Sequence, residues 1–159
     1  MGGISAEDVP EMRSADVFDL PSVAEIDRIC DSPAWSVSAF RESLSSNDVF
    51  LRLALVRDNI AAFCCFRIID NEMEILKLAV APEYRRRGIG RQMLSDAIER
   101  FDSAGEKRVY LEVRSRNNAA ITLYESRGFV GSGVRKMYYA DPLDDAQIMV
   151  LSLGAAKQP

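Results

Sequence analysis

The hydrophobic period changes twice between residues 71 and 113, and that double change restricts the fold more than any other feature of the chain. The run "NEMEILKLAV" (71–80) reads as a strand. From Ile89 the apolar residues fall at Ile89, Met93, Leu94, Ala97, Ile98 and Phe101, a helical stripe. "KRVYLEV" (107–113) then returns to alternation, with Val109, Leu111 and Val113 set against Tyr110, Glu112 and Arg114. A strand, a helix and a strand in that order imply a parallel pair joined by a crossover.

Upstream, "VFLRLALVRDNIAAFCCFRIID" (49–70) reads as two strands turning at Arg57-Asp58-Asn59, and Asp70-Asn71 marks a second tight turn. "MRSADVFDLPSVAEIDRIC" suggests a short strand and a helix whose start is marked by Asp19 and Pro21. "SVSAFRESLSS" suggests a second short helix capped by Ser36 or Ser38. Downstream, Gly105 is the expected end of the long helix. "NNAAITLYESR" is a shorter helix ending at Gly128, and "GFVGSGVRKMYY" and "AQIMVLSL" are the last strands. The order β-α-α-β-β-β-α-β-α-β-β predicts an α+β (mixed α/β) fold, with helices on both faces of a mostly antiparallel sheet of six or seven strands. The 159 residues fit one domain, with 1–10 and 154–159 as loose ends.

Composition removes several function classes. The net charge is −4, whereas a nucleic-acid binder draws its affinity from excess positive charge. No run approaches the length of a membrane span, and the first residues lack the pattern of a secretion signal. Three cysteines, Cys30, Cys64 and Cys65, without CxxC or histidine, form neither a disulfide framework nor a zinc set, so no metal is expected. These features point to a reducing cytoplasm. Without histidine, proton transfer falls to Glu, Asp, Tyr, Cys, Lys or water.

Against this acidic background stands "YRRRGIG" (84–90). Arg85, Arg86 and Arg87 precede a helix N-terminus, where positive charge opposes the macrodipole. They form either a solvated corner or one wall of an anion site, with Gly88 and Gly90 baring the backbone.

Arg85-x-x-Gly88-x-Gly90 resembles the R/Q-x-x-G-x-G/A signature of the GNAT superfamily of N-acetyltransferases. "LAV" and Pro82 stand before it as in that family. "YLEVRSRNNAAITLYESRGF" (110–129), "VRKMYYADPLDDAQIMVLSL" and "PAWS" (33–36) resemble segments of the bacterial ribosomal-protein alanine N-terminal acetyltransferases. The resemblance implies a sheet with a splayed parallel pair and acetyl-CoA as cofactor. It places the pyrophosphate on the N–H groups of Arg86, Arg87, Gly88, Ile89, Gly90 and Arg91, with the arginine side chains, Arg85 included, adding charge. It sets the pantetheine arm along Leu78, Ala79 and Val80, with Asn117 as a further contact. Glu112 matches the proposed general base and Tyr124 the group beside the sulfur, while an N–H near Val80 would hold an oxyanion.

Read from the residues alone, Glu112 is an ion-pair partner for Arg114 or another cation, Asn117 a helix cap and Tyr124 a core aromatic. Trp35, Tyr138 and Tyr139 either line an acceptor groove or pack. Asp141, Asp144 and Asp145 either attract a cationic terminus or form a solvated turn. The expected function is acetylation of a protein N-terminus, of ribosomal-protein type. The alternatives are acetylation of a small amine, or a non-catalytic module that binds acetyl-CoA. Neither nucleic acid nor membrane is an expected partner.

Overall fold

The computed structural model describes residues 8–30, 33–101 and 107–154. In chain order the elements are β1 (Glu11–Ser14), α1 (Leu20–Cys30), α2 (Val37–Leu44), β2 (Val49–Val56), β3 (Asn59–Ile69), β4 (Glu72–Val80), α3 (Ile89–Phe101), β5 (Lys107–Arg114), α4 (Asn118–Ser126), β6 (Val130–Ala140) and β7 (Leu143–Leu153). Among the described residues seven strands form one sheet in the order β1-β2-β3-β4-β5-β7-β6. The β4–β5 contact is parallel and its neighbours are antiparallel, as the double change of period requires. Gly105, the expected end of α3, lies outside the described residues, as do 1–7 and 155–159 of the expected loose ends.

Local chemistry explains most element boundaries. Arg57 and Asp58 both take positive φ (49° and 65°), the conformation a two-residue hairpin turn needs. Ser36, not Ser38, caps α2: its Oγ accepts from the Ala39 N–H at 3.1 Å. The start of α1 differs from expectation. A 3₁₀ turn, Val17–Asp19, runs directly into it, and Asp16 is the cap, accepting from the Phe18 N–H at 2.8 Å. Asp19 instead closes a reciprocal bond to the Asp16 N–H and pairs with Arg13 at 2.8 Å.

The sheet carries one core on each face. α3 and α4 cover Cys64, Phe66, Met73, Ile75, Val109, Leu111 and Val113, while α1 and α2 cover Leu51, Leu53, Phe63, Cys65 and Ala79. Cys64 and Cys65 therefore point into opposite cores, because strand side chains alternate. Burial pushes both thiols up, Cys65 to about 12, so they are inert packing groups. β6, at the edge, is exposed along nearly its whole length.

Candidate active site

β4 and β5 pair from Glu72↔Arg108 to Ile75↔Leu111 and then part. The cause is visible on the other side of β4. Cys65 pairs with Lys77 but Phe66 with Ile75, so Leu76 is an extra residue, a β-bulge. The bulge bends β4 at the residue where its bond to β5 ends. β4 still follows β3 to Ala62↔Val80, and β5 follows β7 to Arg114↔Ala146. A cleft of about 470 Å³ opens between them, walled by Leu76–Ala79, Leu111–Arg114, the end of α1, and Asn117, Ala120 and Tyr124 from α4.

The loop after β4 leads to the N-terminus of α3. Arg86 and Gly88 take positive φ (64° and 75°), which turns the backbone back on itself before the helix begins. The first bond recorded into α3 is Gln92 N–H to the Gly88 carbonyl, so the N–H groups of Ile89, Gly90 and Arg91 are leading donors the helix does not use. The arginine side chains differ in role. Arg85 turns inward, donating to the Val80 carbonyl (3.2 Å) and the Cys30 sulfur (3.3 Å). Arg87 donates to the Glu83 carbonyl (3.3 Å) and lies over the Tyr84 ring. Arg86 and Arg91 are exposed. Gly90 does not bare the backbone to the loop. A Cβ there would meet Val80 Cγ2 at 3.3 Å and Leu123 Cδ2 at 3.4 Å, so its missing side chain lets α3 lie close against β4 and α4.

Asn117 caps α4: its Oδ1 accepts from the Ala120 N–H at 3.1 Å. That leaves the carboxamide NH₂ to offer a ligand in the cleft. Tyr124 is buried, its ring 5.7 Å from that of Phe129. Burial, with smaller contributions from Cys64 and Tyr139, raises its pKa well above the ordinary phenol value, so its hydroxyl keeps its proton at neutral pH. Tyr139 lines the same cleft, with the Arg114 guanidinium 4.2 Å from its ring centroid.

Glu112 lies in the wall, facing away from the α3–α4 core. Its ion-pair partner is Arg135 at 2.9 Å. Arg114 donates instead to the Pro142 and Asp141 carbonyls at 2.7 and 3.0 Å. The electrostatic influence of the nearby Glu112 holds the Tyr138 pKa above its ordinary value. Trp35 is not in the cleft wall. Its N–H donates to Asp27 (2.7 Å), and its ring packs on Phe40 and beneath the Lys77 ammonium. Asp144 and Asp145 build a turn: Asp144 accepts from the Arg116 and Asp145 N–H groups, and Asp145 from the Met137 N–H and Lys136.

Two features escaped the sequence reading. Lys77 and Asp27 form a buried pair (2.9 Å) that pins α1 to β4 beside the cleft. The lone cation inside "EILKLAV" was the available signal. Arg135 had none, because its link to Glu112 spans strands that are not adjacent in the sheet.

An open sheet with a parallel pair splayed at a bulge, and a helix N-terminus at the end of the splayed strand, defines the class. The chain belongs to the acetyltransferase (GNAT) family, whose family model matches residues 20–129. Among individual proteins, it is 35% identical over 138 residues to the [ribosomal protein bS18]-alanine N-acetyltransferase of Salmonella typhimurium, covering 86% of this chain and 93% of that one. The crystal structure of the ribosomal-protein-S18-alanine N-acetyltransferase from Escherichia coli superposes with a TM-score of 0.83 at 30% identity, covering 94% of this chain and 97% of that one. Arabidopsis thaliana NAA60, solved with a bisubstrate analogue, shares the fold at a TM-score of 0.80 and 20% identity, covering 92% of this chain and 99% of that one.

Proposed function

We propose that the chain moves an acetyl group from acetyl-CoA to the α-amino group of a protein N-terminus, of the kind a ribosomal protein presents. The observation that carries this reading is the cleft itself, an opened β4 edge with Glu112 and Tyr124 in its walls. The relatives named as acetylating ribosomal protein bS18 match nearly the whole chain and supply the acceptor class.

The residues present fit the cofactor. The β4 backbone at Leu78, Ala79 and Val80 offers strand-type bonding to the amides of a pantetheine arm. The leading N–H groups of α3, with those of Arg86, Arg87 and Gly88, suit a pyrophosphate. Arg85, Arg86, Arg87 and Arg91 all have exposed side chains that add positive charge for it, and Arg85 and Arg87 also brace the loop. The Asn117 amide adds a donor in the cleft. When bound, acetyl-CoA supplies the acetyl group already activated as a thioester.

Glu112 takes the proton of the incoming ammonium, directly or through a water. An α-amine has a reference pKa near 8 against about 10.4 for lysine, so less help is needed than for a side-chain amine. Tyr124, in the wall of the same cleft, returns a proton to the departing sulfur. Tyr138 and Tyr139 border the acceptor's approach. An acceptor of this kind places the enzyme in the cytoplasm. No helix among the described residues is long and apolar enough to cross a membrane.

The test is thiol release from acetyl-CoA with peptides beginning Ala-Arg, Ser-Ala or Met, run beside polyamines and aminoglycosides. Turnover is expected on peptides. Turnover confined to small amines overturns the acceptor assignment. Saturating acetyl-CoA is also expected to raise the melting temperature, and no shift would refute the cofactor reading.

A further inference from the structure

Glu112 stands where two cavities meet. Glu112 and its neighbour Leu111 line both the β4–β5 cleft and a second cavity of about 350 Å³, whose other walls include Arg67, Glu74, Tyr110 and Arg135. One side chain from β6 reaches Glu112 there: Arg135 Nε lies 2.9 Å from Glu112 Oε1. The Arg135 guanidinium also lies 5.7 Å from the Tyr138 ring centroid, which backs it on the other side.

The backbone just after Arg135 is irregular. Arg135 pairs with Ala146 and Tyr139 with Asp144, so three β6 residues oppose the single Asp145. Met137, inside this bulge, takes a positive φ of 52°, which L side chains rarely adopt. Asp145 holds the bulge by accepting from the Met137 N–H at 2.8 Å. An ion pair as exposed as Arg135–Glu112 contributes little to stability, so folding alone does not account for a strained bulge that begins beside this contact.

We propose that Arg135 is a positioning residue for Glu112, a clamp that fixes the carboxylate at the junction of the two cavities. A glutamate in a half-open wall otherwise samples several rotamers, and proton transfer requires it within hydrogen-bond reach of the amine. A carboxylate has about four lone-pair sites, so one cationic partner leaves capacity for the acceptor's proton. The clamp comes from β6, on the side away from the proposed cofactor contacts, so it acts on turnover and not on cofactor binding. The inference rests on the reading that Glu112 accepts the amine proton.

The experiment is a double-mutant cycle on peptide acetylation. Arg135→Ala is expected to lower kcat about ten- to a hundredfold, as loss of reactive geometry does. The KM for acetyl-CoA and the melting-temperature rise it produces should stay at wild-type values. Arg135→Lys should recover part of the loss. In a Glu112→Gln background, Arg135→Ala should have no further effect, because its action passes through that carboxylate. Wild-type kcat in Arg135→Ala, losses that multiply in the double variant, or a fall in acetyl-CoA stabilisation matching the fall in kcat would each overturn the clamp. If Arg135→Ala does not fold, Arg135→Gln, which keeps most of the stem and removes the charge, is judged by the same cycle and criteria. If Glu112→Gln alone turns over like wild type, the base assignment fails and the clamp with it. A slow Glu112→Gln beside an unaffected Arg135→Ala refutes the clamp alone.

Discussion

A single oxygen distinguishes Tyr124 from phenylalanine, and the two roles open to it make different demands on that atom. Packing against Phe129 needs only the ring. Proton donation needs the hydroxyl, which burial keeps protonated. Tyr124→Phe should therefore leave the melting temperature within a few degrees of wild type while lowering kcat. An unchanged kcat would make Tyr124 a packing residue. Glu112→Gln should lower kcat by about 10²-fold or more, the usual share of a general base, with the acetyl-CoA-induced thermal shift retained. An equal loss of both would mark Glu112 as structural. Glu112 and Tyr124 were marked in the sequence by the family resemblance, since a local pattern does not tell a base from an ion-pair partner or an acid from a core aromatic. The partner of Glu112 was not legible, since Arg135 reaches it across β7.

At the scale of elements, the start of α3 carries two glycines with different tasks. Gly88 has the positive φ and open space around a would-be Cβ. Gly88→Ala should thus cost about 1 kcal/mol of backbone strain and little else, read by urea denaturation. Gly90→Ala would press a methyl against Val80 and Leu123, displacing α3 from β4. It should weaken the thermal shift by acetyl-CoA more than Gly88→Ala does, and the reverse order would show that loop conformation matters more than helix placement. The sequence showed that this corner was special. It did not show that Gly90 faces inward, or that Arg85 and Arg87 also brace the loop, because those contacts come from Cys30, the β4 carbonyls and the neighbouring helix. The β4 bulge was equally hidden, since an apolar run such as "EILKLAV", interrupted only by Lys77, passes for an unbroken strand.

Across the whole molecule, a buried fork ties the N-terminal half of the sheet to the crossover helix. Arg52 on β2 meets Asp96 on α3 through Nε (2.8 Å) and Nη2 (3.1 Å), with Arg100 at 3.5 Å. Arg52→Ala would leave a buried carboxylate with only the outer arginine, at a cost of about 3 kcal/mol by equilibrium unfolding. A loss below ~1 kcal/mol would show that solvent reaches the pair. Burial alone would raise the Asp96 pKa, but Arg52 and Arg100 outweigh it and hold the carboxyl below its ordinary value. Its stabilisation is therefore fully present above the ordinary aspartate range and lost as pH falls through the depressed value. The wild type should lose stability on acidification more steeply than Arg52→Ala, and parallel curves would exclude Asp96 as the source.

The sequence by itself determined the order of elements, the parallel pair and the position of the arginine–glycine corner, because period, turn residues and helix-end chemistry act over a few neighbouring residues. Only the tertiary structure decided that β4 leaves β5 at Leu76, that Glu112 answers to Arg135 rather than Arg114, and that Trp35 supports the wall instead of lining it. Those outcomes depend on register slips and on contacts between strands far apart in the chain, where one extra residue redirects every side chain after it.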